Sequence, residues 1–196
     1  MTDDANKLSP ALLKKTYRQG YFPMPDPDTD EILWFRPDPR AVIPLDAFHC
    51  SRSLKQTLNS GKYRITHDTA FKEVMVCCSQ RENTWINEEI LEAYTALFHE
   101  GSAHSIEVWQ ENDLVGGVYG VTLGGAFFAE SKFHFETDAS KVALYHLVER
   151  LKRQGFKLLE VQFITDHLKS LGAIEINDRE YQSQLRDAIS LPVTFS

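Results

Sequence analysis

The sequence predicts an α/β (α+β) fold, in which a mixed sheet is flanked by helices and preceded by a small N-terminal subdomain. Three observations support this prediction. Of the 196 residues, 42% are hydrophobic and 25% are charged, which is enough to build a core without disulfides or a metal. Six of the eight prolines fall between Tyr21 and Pro44. After about residue 102 the apolar residues alternate as in strands, whereas before it they recur at helical spacing.

The first part of the chain is predicted to be helical around its proline-rich segment. A helix begins after the Ser9 cap and ends before Gly20. Because proline lacks a backbone N–H, residues 21–44 are predicted to form an ordered surface segment that contains neither helix nor central strand. A helix capped by Ser51 and a short strand at about 63–66 follow.

The second part is predicted to carry the sheet. Two helices, at about 69–79 and 87–100, precede three strands in SIEVWQ, LVGGVYGVTL and GGAFFAESKF. A helix at about 138–153, the strand KLLEVQF, a short helical turn, the strand AIEI and a last helix complete the chain. The order β-β-β-α-β-α-β-α is that of a layered α/β domain, and the acyltransferase folds that bind acyl-coenzyme A share it. We place this domain at residues 69–196 and the N-terminal subdomain at 1–68.

Charge and cysteine content exclude several classes of protein. The formal net charge of −7 argues against a protein that holds nucleic acid by bulk charge. The three cysteines form no CxxC pair and predict a reducing compartment. No apolar run approaches the roughly 18 to 20 residues of a membrane helix. Since the start MTDDANKLSP is acidic and polar, no leader peptide is predicted, and the expected location is the cytoplasm.

A carboxylate and an amide share one face of the strand KLLEVQF. Glu160 and Gln162 stand two residues apart, so their side chains point to the same side. Leu159, Val161 and Phe163 point to the other side and are predicted to be buried. One interpretation is a solvated sheet face. The other is a functional pair, in which the carboxylate orients or polarises an amide near a reacting proton.

Glu130 ends the predicted strand GGAFFAE, whose small and aromatic residues suggest a close approach of the backbone to another group. The alternative is a surface acid at a strand end. Four aromatic residues either belong to the core or line an apolar pocket. They are Trp85, Tyr119, Phe127 and Phe128.

Several common chemistries lack their motifs. The glycine pairs do not have the spacing of a phosphate or dinucleotide loop, and HFETDASK lacks the glycine-rich run that cradles the pyrophosphate of coenzyme A, so no cofactor is predicted. None of the seven histidines pairs at metal-ligand spacing, so no metal is predicted either. There is no G-x-S-x-G and no cysteine with an evident activating histidine, which leaves nucleophilic catalysis unsupported.

Eight sequence blocks in a fixed order are the most specific signal in the chain. They are WFRPDPRAVIPLD, SRSL, TWI, GSAHSIEVWQ, LVGGVYGV, GGAFFAESKF, DASKVAL and Q-x-x-T-D-H-L-x-S-L-G-A. Together they resemble the bacterial leucyl/phenylalanyl-tRNA–protein transferases, over a span from about Tyr17 to Tyr181. This resemblance implies an enzyme that moves leucine or phenylalanine, with methionine as a further donor, from aminoacyl-tRNA to proteins that begin with Arg or Lys. It also implies N-degron tagging and an acyl-coenzyme A N-acyltransferase fold that uses neither coenzyme A nor a metal.

The resemblance implies roles for single residues as well. Glu160 stands where the family has Asp, and it would hydrogen-bond the amide of Gln162, whose oxygen draws a proton from the attacking α-amine. Glu130 would hold the cationic acceptor. The pocket for the transferred side chain would be lined by Trp85, Val118, Phe127, Leu144 and Leu159. The tRNA would be bound by Tyr17, Met24, Arg52 and Lys55.

Departures from the family pattern bear on specificity. Glu160 is one methylene longer than Asp, and Met24 replaces a tryptophan beside the terminal adenosine. Val118 and Lys132 each replace a methionine. The family's basic cluster is thin, so tRNA is expected to be held lightly and with a shallow salt dependence. The candidate basic side consists of Arg36, Arg40, Arg52, Lys55 and Lys62.

Three alternatives stay open at this level. The first is the same scaffold with another donor or acceptor, suggested by Lys132 two residues from Glu130. The second is a small-molecule N-acetyltransferase, which the missing pyrophosphate loop disfavours. The third is a non-catalytic adaptor that binds N-terminal Arg or Lys through Glu130.

Overall fold

The computed structural model describes residues 8–26, 28–29, 31–80 and 84–195, which form a mixed α/β structure. The helices are α1 Pro10–Arg18, α2 Arg52–Asn59, α3 Phe71–Ser79, α4 Glu88–His99, α5 Ala139–Gln154, α6 Asp166–Ser170 and α7 Asp178–Ile189. The strands are β1 Phe22–Pro25, β2 Ile32–Phe35, β3 Arg40–Val42, β4 Arg64–His67, β5 Ala103–Gln110, β6 Asp113–Leu123, β7 Ala126–His134, β8 Leu158–Gln162 and β9 Ile174–Ile176. The predicted fold class, a mixed sheet with flanking helices, is confirmed.

Seven of these strands form one sheet, in the order β4-β5-β6-β7-β8-β3-β9. Neighbouring strands are antiparallel except β7 and β8, which are parallel. A parallel pair needs a crossover connection, and α5 supplies it. Strands β1 and β2 form a separate antiparallel pair.

Helices cover both faces of the large sheet. One apolar cluster includes Tyr17 of α1 and Tyr94 of α4, and we call its side of the sheet the α1 face. The other includes Leu144 of α5, and we call its side the α5 face. Alternation along β8 sends Leu158 to the α1 face and Leu159 to the α5 face. Glu160 therefore belongs to the α1 face.

Strand β3 corrects the prediction for the proline-rich segment. Arg40–Val42 lies inside the sheet, between β8 and β9, although the proline content predicts no central strand there. The reason is that these three residues, between Pro39 and Pro44, keep their backbone N–H groups and can pair on both sides. Strand β1, which contains two prolines, pairs only with β2.

Two strands from the predicted N-terminal subdomain, β3 and β4, belong to the large sheet. Strand β3 pairs with β8, and β4 pairs with β5 at the edge of the sheet. The predicted boundary at residue 68 thus falls between segments that are hydrogen-bonded to each other. The division into 1–68 and 69–196 stays a prediction.

The described residues contain no helix that is long and apolar enough to cross a membrane. Within the same ranges, no three His, Cys, Asp or Glu side chains come together in a way that could hold a metal ion. The three cysteines are free thiols. Residues 1–7, on which the prediction about a leader peptide depends, lie outside the described residues.

Candidate active site

A gap opens between strands β7 and β8 in the middle of the sheet. Their parallel pairing ends where Phe128 lies opposite Glu160, whereas β7 continues to His134. The same register continued by two residues would set Glu130 opposite Gln162. Instead of a backbone bond, the side-chain Nε2 of Gln162 donates to Oε2 of Glu130 at 2.9 Å. The amide of Gln162 therefore meets Glu130 across the gap, and not Glu160 as predicted.

Glu130 is the extra residue of a β-bulge. On the neighbouring strand β6, Tyr119 pairs with Ser131 and Gly120 pairs with Ala129, which leaves Glu130 without an opposite residue. A bulge re-aims the side chain of its extra residue and is common beside active sites. The bulge explains how a residue in the middle of a strand can turn its carboxyl toward the gap.

The carboxyl of Glu130 is buried and held by hydroxyl groups. It is 6% exposed and β7 runs on past it, so the alternative of a surface acid at a strand end is wrong. The hydroxyl of Tyr17 donates to Oε1 at 2.5 Å, and the hydroxyl of Tyr94 lies 2.5 Å from that of Tyr17. The hydroxyls of Tyr94 on α4 and Tyr17 on α1 thus form a hydrogen-bonded chain that ends at the carboxyl of Glu130.

Burial raises the pKa of Glu130 to about 8, and the carboxyl of Glu160 acts in the same direction. Hydrogen bonds from Tyr17 and Gln162 favour the ionised form but do not cancel the effect of burial. Glu130 therefore gains or loses its proton close to neutral pH. A cation placed beside it would favour the carboxylate.

The contribution of Glu130 to the free energy of unfolding is expected to fall by about 3 to 4 kcal/mol between pH 5 and pH 8, and Glu130→Gln should remove most of this fall. An unfolded glutamate has a pKa of about 4.3, so between that value and about 8 only the folded state holds the proton. The folded state thus loses stability as the pH rises. Urea unfolding of both proteins at the two pH values measures the effect. A pH dependence that the variant shares in full would contradict the raised pKa.

Glu160 is 1% exposed, so the interpretation as a solvated sheet face is wrong. Its Oε1 accepts from Nη1 of Arg40 at 2.9 Å and from the backbone N–H of Gln162 at 3.0 Å, and the hydroxyl of Tyr181 lies 3.4 Å from Oε2. Burial raises the pKa of Glu160, and Arg40 opposes this shift. The predicted bond to the side-chain amide of Gln162 is not formed, because that amide is directed at Glu130.

The backbone at Gln162 is strained. Its φ of 63° lies in the left-handed region, which costs a residue with a side chain on the order of 1 to 3 kcal/mol. The bond from its N–H to Glu160 stabilises this conformation. The same turn ends β8 and leaves Phe163 48% exposed, so the prediction that Phe163 is buried is wrong.

Arg40 holds Glu160 in place and does not belong to a basic surface. It is 1% exposed, and its guanidinium lies 4.4 Å from the ring centroid of Tyr181 and 5.4 Å from that of Phe22. Its Nη2 donates to the carbonyl of Gly20 at 2.5 Å. The prediction that Arg40 faces tRNA is therefore wrong.

Two other cations of the predicted basic side are paired with carboxylates. Nε of Arg36 donates to Oδ1 of Asp178 at 2.9 Å, and Nζ of Lys62 donates to Glu136 at 2.9 Å. Each pair is partly exposed. These pairs reduce the positive charge that the two residues offer to a polyanion.

The residues predicted to bind tRNA are not equally accessible. Arg52 and Lys55 are exposed on α2, which packs against α5. Met24 is half-buried in β1. Tyr17 is 1% exposed and bonded to Glu130, so direct contact of its side chain with tRNA is incompatible with this structure.

A small cavity lies beside Glu130. Its volume is about 60 Å³, well below the roughly 150 Å³ that accommodates benzene. Val118 of β6, Leu144 of α5 and Leu168 of α6 line it, and so does Lys132. A leucine or phenylalanine side chain could enter only if this cavity widened.

The five residues predicted to line the aminoacyl pocket divide between the two faces. Val118 and Leu144 line the cavity. Phe127 and Leu159 pair with each other and lie in the same apolar cluster, on the α5 face. Trp85 packs against the cluster on the α1 face, so the structure does not bring it to this cavity.

Sequence reasoning missed three residues of the site. They are Arg40 as the partner of Glu160, Tyr94 as a link in the hydroxyl chain, and Tyr181. A signal was present for Tyr94, which lies on the apolar stripe of α4, because a buried tyrosine hydroxyl needs a partner. Arg40 begins the apolar run RAVI, where a buried cation requires a buried acid.

Direct transfer of an acyl group to an amine requires two reactants to be held in place more than it requires a protein nucleophile. A buried amide and a buried carboxyl that face each other across the gap could hold such reactants once the small cavity beside them widens. The fold and this pair of polar groups are what an acyl-transfer enzyme of the mixed α/β class would require.

Sequence comparison identifies the family. The profile described as leucyl/phenylalanyl-tRNA protein transferase matches residues 42–186, and that of its N-terminal domain matches residues 6–38. A leucyl/phenylalanyl-tRNA–protein transferase from Gloeobacter violaceus is 47% identical, over 96% of this chain and 97% of the relative. One from Herpetosiphon aurantiacus is 51% identical, over 96% and 98%. The chain belongs to the leucyl/phenylalanyl-tRNA–protein transferase family and is an aminoacyltransferase.

Solved structures offer a more distant likeness. An aminoglycoside acetyltransferase from an uncultured soil metagenomic sample, in complex with sisomicin, matches with a TM-score of 0.45 and 14% identity. The match covers 56% of this chain and 84% of that one. At this distance the likeness adds nothing to the functional argument.

Proposed function

We propose that the chain moves leucine or phenylalanine, with methionine as a further donor, from aminoacyl-tRNA to the N-terminal amine of proteins that begin with Arg or Lys. The acceptors would thereby be marked for the N-degron pathway in the cytoplasm. The observation that carries this proposal is the hydrogen bond between Gln162 and Glu130 across the strand gap. Transfer of radiolabelled leucine from charged tRNA to an Arg-initiated peptide tests it.

The proposed reaction joins the α-amine nitrogen of the acceptor to the ester carbonyl carbon of the donor. The bond from that carbon to the ribose oxygen breaks, and the proton that the amine loses ends on this oxygen. Because the NH₂ of Gln162 donates to Glu130, its Oε1 is directed away from Glu130 and can accept a hydrogen bond from the amine. This contact would aim the nitrogen lone pair at the carbonyl.

In this proposal Glu160 and Arg40 act indirectly, by holding Gln162 in position. Each is 1% exposed, so neither reaches a substrate in this structure. They support the strained backbone of Gln162 through the bond from its N–H to Glu160. We therefore assign them as positioning residues, and Gln162 as the catalytic residue.

Glu130→Gln is expected to raise the KM for an Arg-initiated peptide by about tenfold or more at pH 8, because a charged hydrogen bond is lost. The effect should be smaller at pH 6, where wild-type Glu130, with a pKa of about 8, is already mostly neutral. Steady-state kinetics of the wild type and the variant at pH 6 and pH 8 measure the change in KM at each pH. Glu136→Gln, a carboxylate near the start of α5, is the control. A KM that Glu130→Gln leaves unchanged would remove Glu130 from acceptor binding.

A second candidate is the same transfer to acceptors that begin with an acidic residue. The observation in its favour is that Lys132 lines the same cavity as Glu130. A panel of peptides that differ only in their first residue separates the two. Preference for Asp or Glu over Arg and Lys would support the second candidate and contradict the first.

A further inference from the structure

A second and larger cleft adjoins the cavity at Glu130. Its volume is about 380 Å³, and Lys132 borders both spaces. It lies past the bulge, at the last residues of β7 and beside the starts of α5 and α6. His134, Ser140, Thr165 and His167 also line it. None of these four side chains has a role in the reaction proposed above.

The side chains around this cleft create a positive potential. Burial lowers the pKa of His167. Three positive or ionisable neighbours, Lys132, Lys141 and His134, lower this pKa further. A pKa is lowered in this way because positive neighbours disfavour another positive charge. The cleft is thus suited to an anion, because a negative charge there would offset the repulsion between these positive groups.

The start of α5 adds to the same potential. Its N-cap residue Asp138 makes no side-chain capping bond, and Ser140 of the first turn lines the cleft. Peptide N–H groups at the start of a 16-residue helix favour an anion. Two carboxylates near the start of α5 are paired with lysines, Asp138 with Lys141 at 2.8 Å and Glu136 with Lys62 at 2.9 Å. A third, Asp166, lies in the first turn of α6, between Thr165 and His167.

An exposed aromatic ring borders the cleft. Phe135 is 58% exposed, which is the highest exposed fraction among the large apolar side chains that the structure describes. Its ring packs against that of Phe133, with the two centroids 5.1 Å apart. A cationic groove with an aromatic platform is the combination that binds single-stranded nucleic acid, through phosphate contacts and base stacking.

We infer that this cleft binds the phosphodiester next to the aminoacylated nucleoside at the single-stranded 3′ end of tRNA, with a base stacked on Phe135. The inference rests on the proposed function and adds a subsite to it. The acyl group would lie in the cavity lined by Val118 and Leu144, and the nucleotide chain would leave past Lys132, which borders both spaces. A second contact region for tRNA, besides Arg52 and Lys55, follows from this arrangement.

Two donors test the inference, because one has the phosphodiester and the other lacks it. They are leucyl-tRNA and leucyl-adenosine, each offered with the same Arg-initiated peptide. In the double variant Lys132→Met/His167→Asn, the ratio of kcat/KM for leucyl-tRNA to that for leucyl-adenosine should fall about tenfold. The slope of log kcat/KM for leucyl-tRNA against log salt should decrease by about 0.7, as expected for one lost contact to a single strand. Phe135→Ala should lower the same ratio without changing the slope.

Lys157→Met, which removes an exposed lysine just before β8, is the charge-matched control and should leave the ratio unchanged. Turnover of leucyl-adenosine by each variant shows that the variant is folded. An unchanged ratio in both the double variant and Phe135→Ala would overturn the inference. A wild-type protein that uses neither donor would contradict the proposed function instead.

Discussion

Gln162→Ala is expected to lower kcat for transfer of leucine or phenylalanine to an Arg-initiated peptide by at least about a hundredfold. The variant removes the amide that meets Glu130 across the strand gap and whose oxygen would orient the attacking amine. It keeps the apolar cavity and the exposed cations of α2. The loss should therefore appear in kcat, with little change in the KM for aminoacyl-tRNA.

Two further variants separate chemistry from folding. Gln162→Asn keeps an amide but shortens its reach by one methylene, and asparagine tolerates the left-handed backbone at this position. It should fold as the wild type does and still lose most activity. Gln184→Ala, an amide on α7, is the control and should be fully active. Wild-type transfer by Gln162→Ala would remove Gln162 from the mechanism.

Arg40→Met is expected to lower the free energy of unfolding by about 3 to 5 kcal/mol at pH 7, because it leaves Glu160 buried and without its counter-charge. The two side chains form an ion pair at 2.9 Å, and each is 1% exposed. Arg40 opposes the upward shift in the pKa of Glu160. Without it, Glu160 takes up a proton more readily, so the destabilisation should shrink as the pH falls.

The partly exposed pair of Arg36 and Asp178 provides the matched control. Arg36→Met should cost only about 0 to 1 kcal/mol, since exposed pairs contribute little. The double variant Arg40→Met/Glu160→Met should recover much of the stability lost in Arg40→Met. The double variant should nevertheless be inactive in the transfer assay, because the N–H of Gln162 has lost its acceptor. A double variant that regains activity would show that Glu160 and Arg40 do not position Gln162. Urea unfolding and the transfer assay measure the two properties on the same preparations.

Local sequence signals were sufficient for most helices and strands. Ser9 and Ser51 each cap a helix through a side-chain bond to a backbone N–H, as predicted, and Asn87 does the same. The apolar stripe Phe71, Val74, Met75 and Cys78 is buried as its spacing predicts. These features depend on residues three or four apart, which a single sequence displays directly.

The prediction for residues 40–42 was wrong because pairing in a sheet depends on distant partners. Nothing near Arg40 in the sequence indicates that β8 and β9 lie on either side of it, more than 100 residues away. Proline content shows only which residues lack a backbone N–H. Residues 40–42 are not prolines, so each of them has a backbone N–H that can pair in the sheet. The same reason hid the role of Arg40, whose acid partner is 120 positions distant.

The sequence by itself determined the fold class and the family, and it singled out the acid and amide residues that lie at the strand gap. Only the tertiary structure decided which atoms meet. In the structure the amide of Gln162 donates to Glu130. The carboxylate of Glu160 accepts from Arg40 and from the backbone N–H of Gln162. Tyr17 is buried and bonded to Glu130. A bulge and one left-handed residue produce this arrangement. Such irregularities interrupt the period-two pattern of a strand, so that pattern cannot predict where their side chains point.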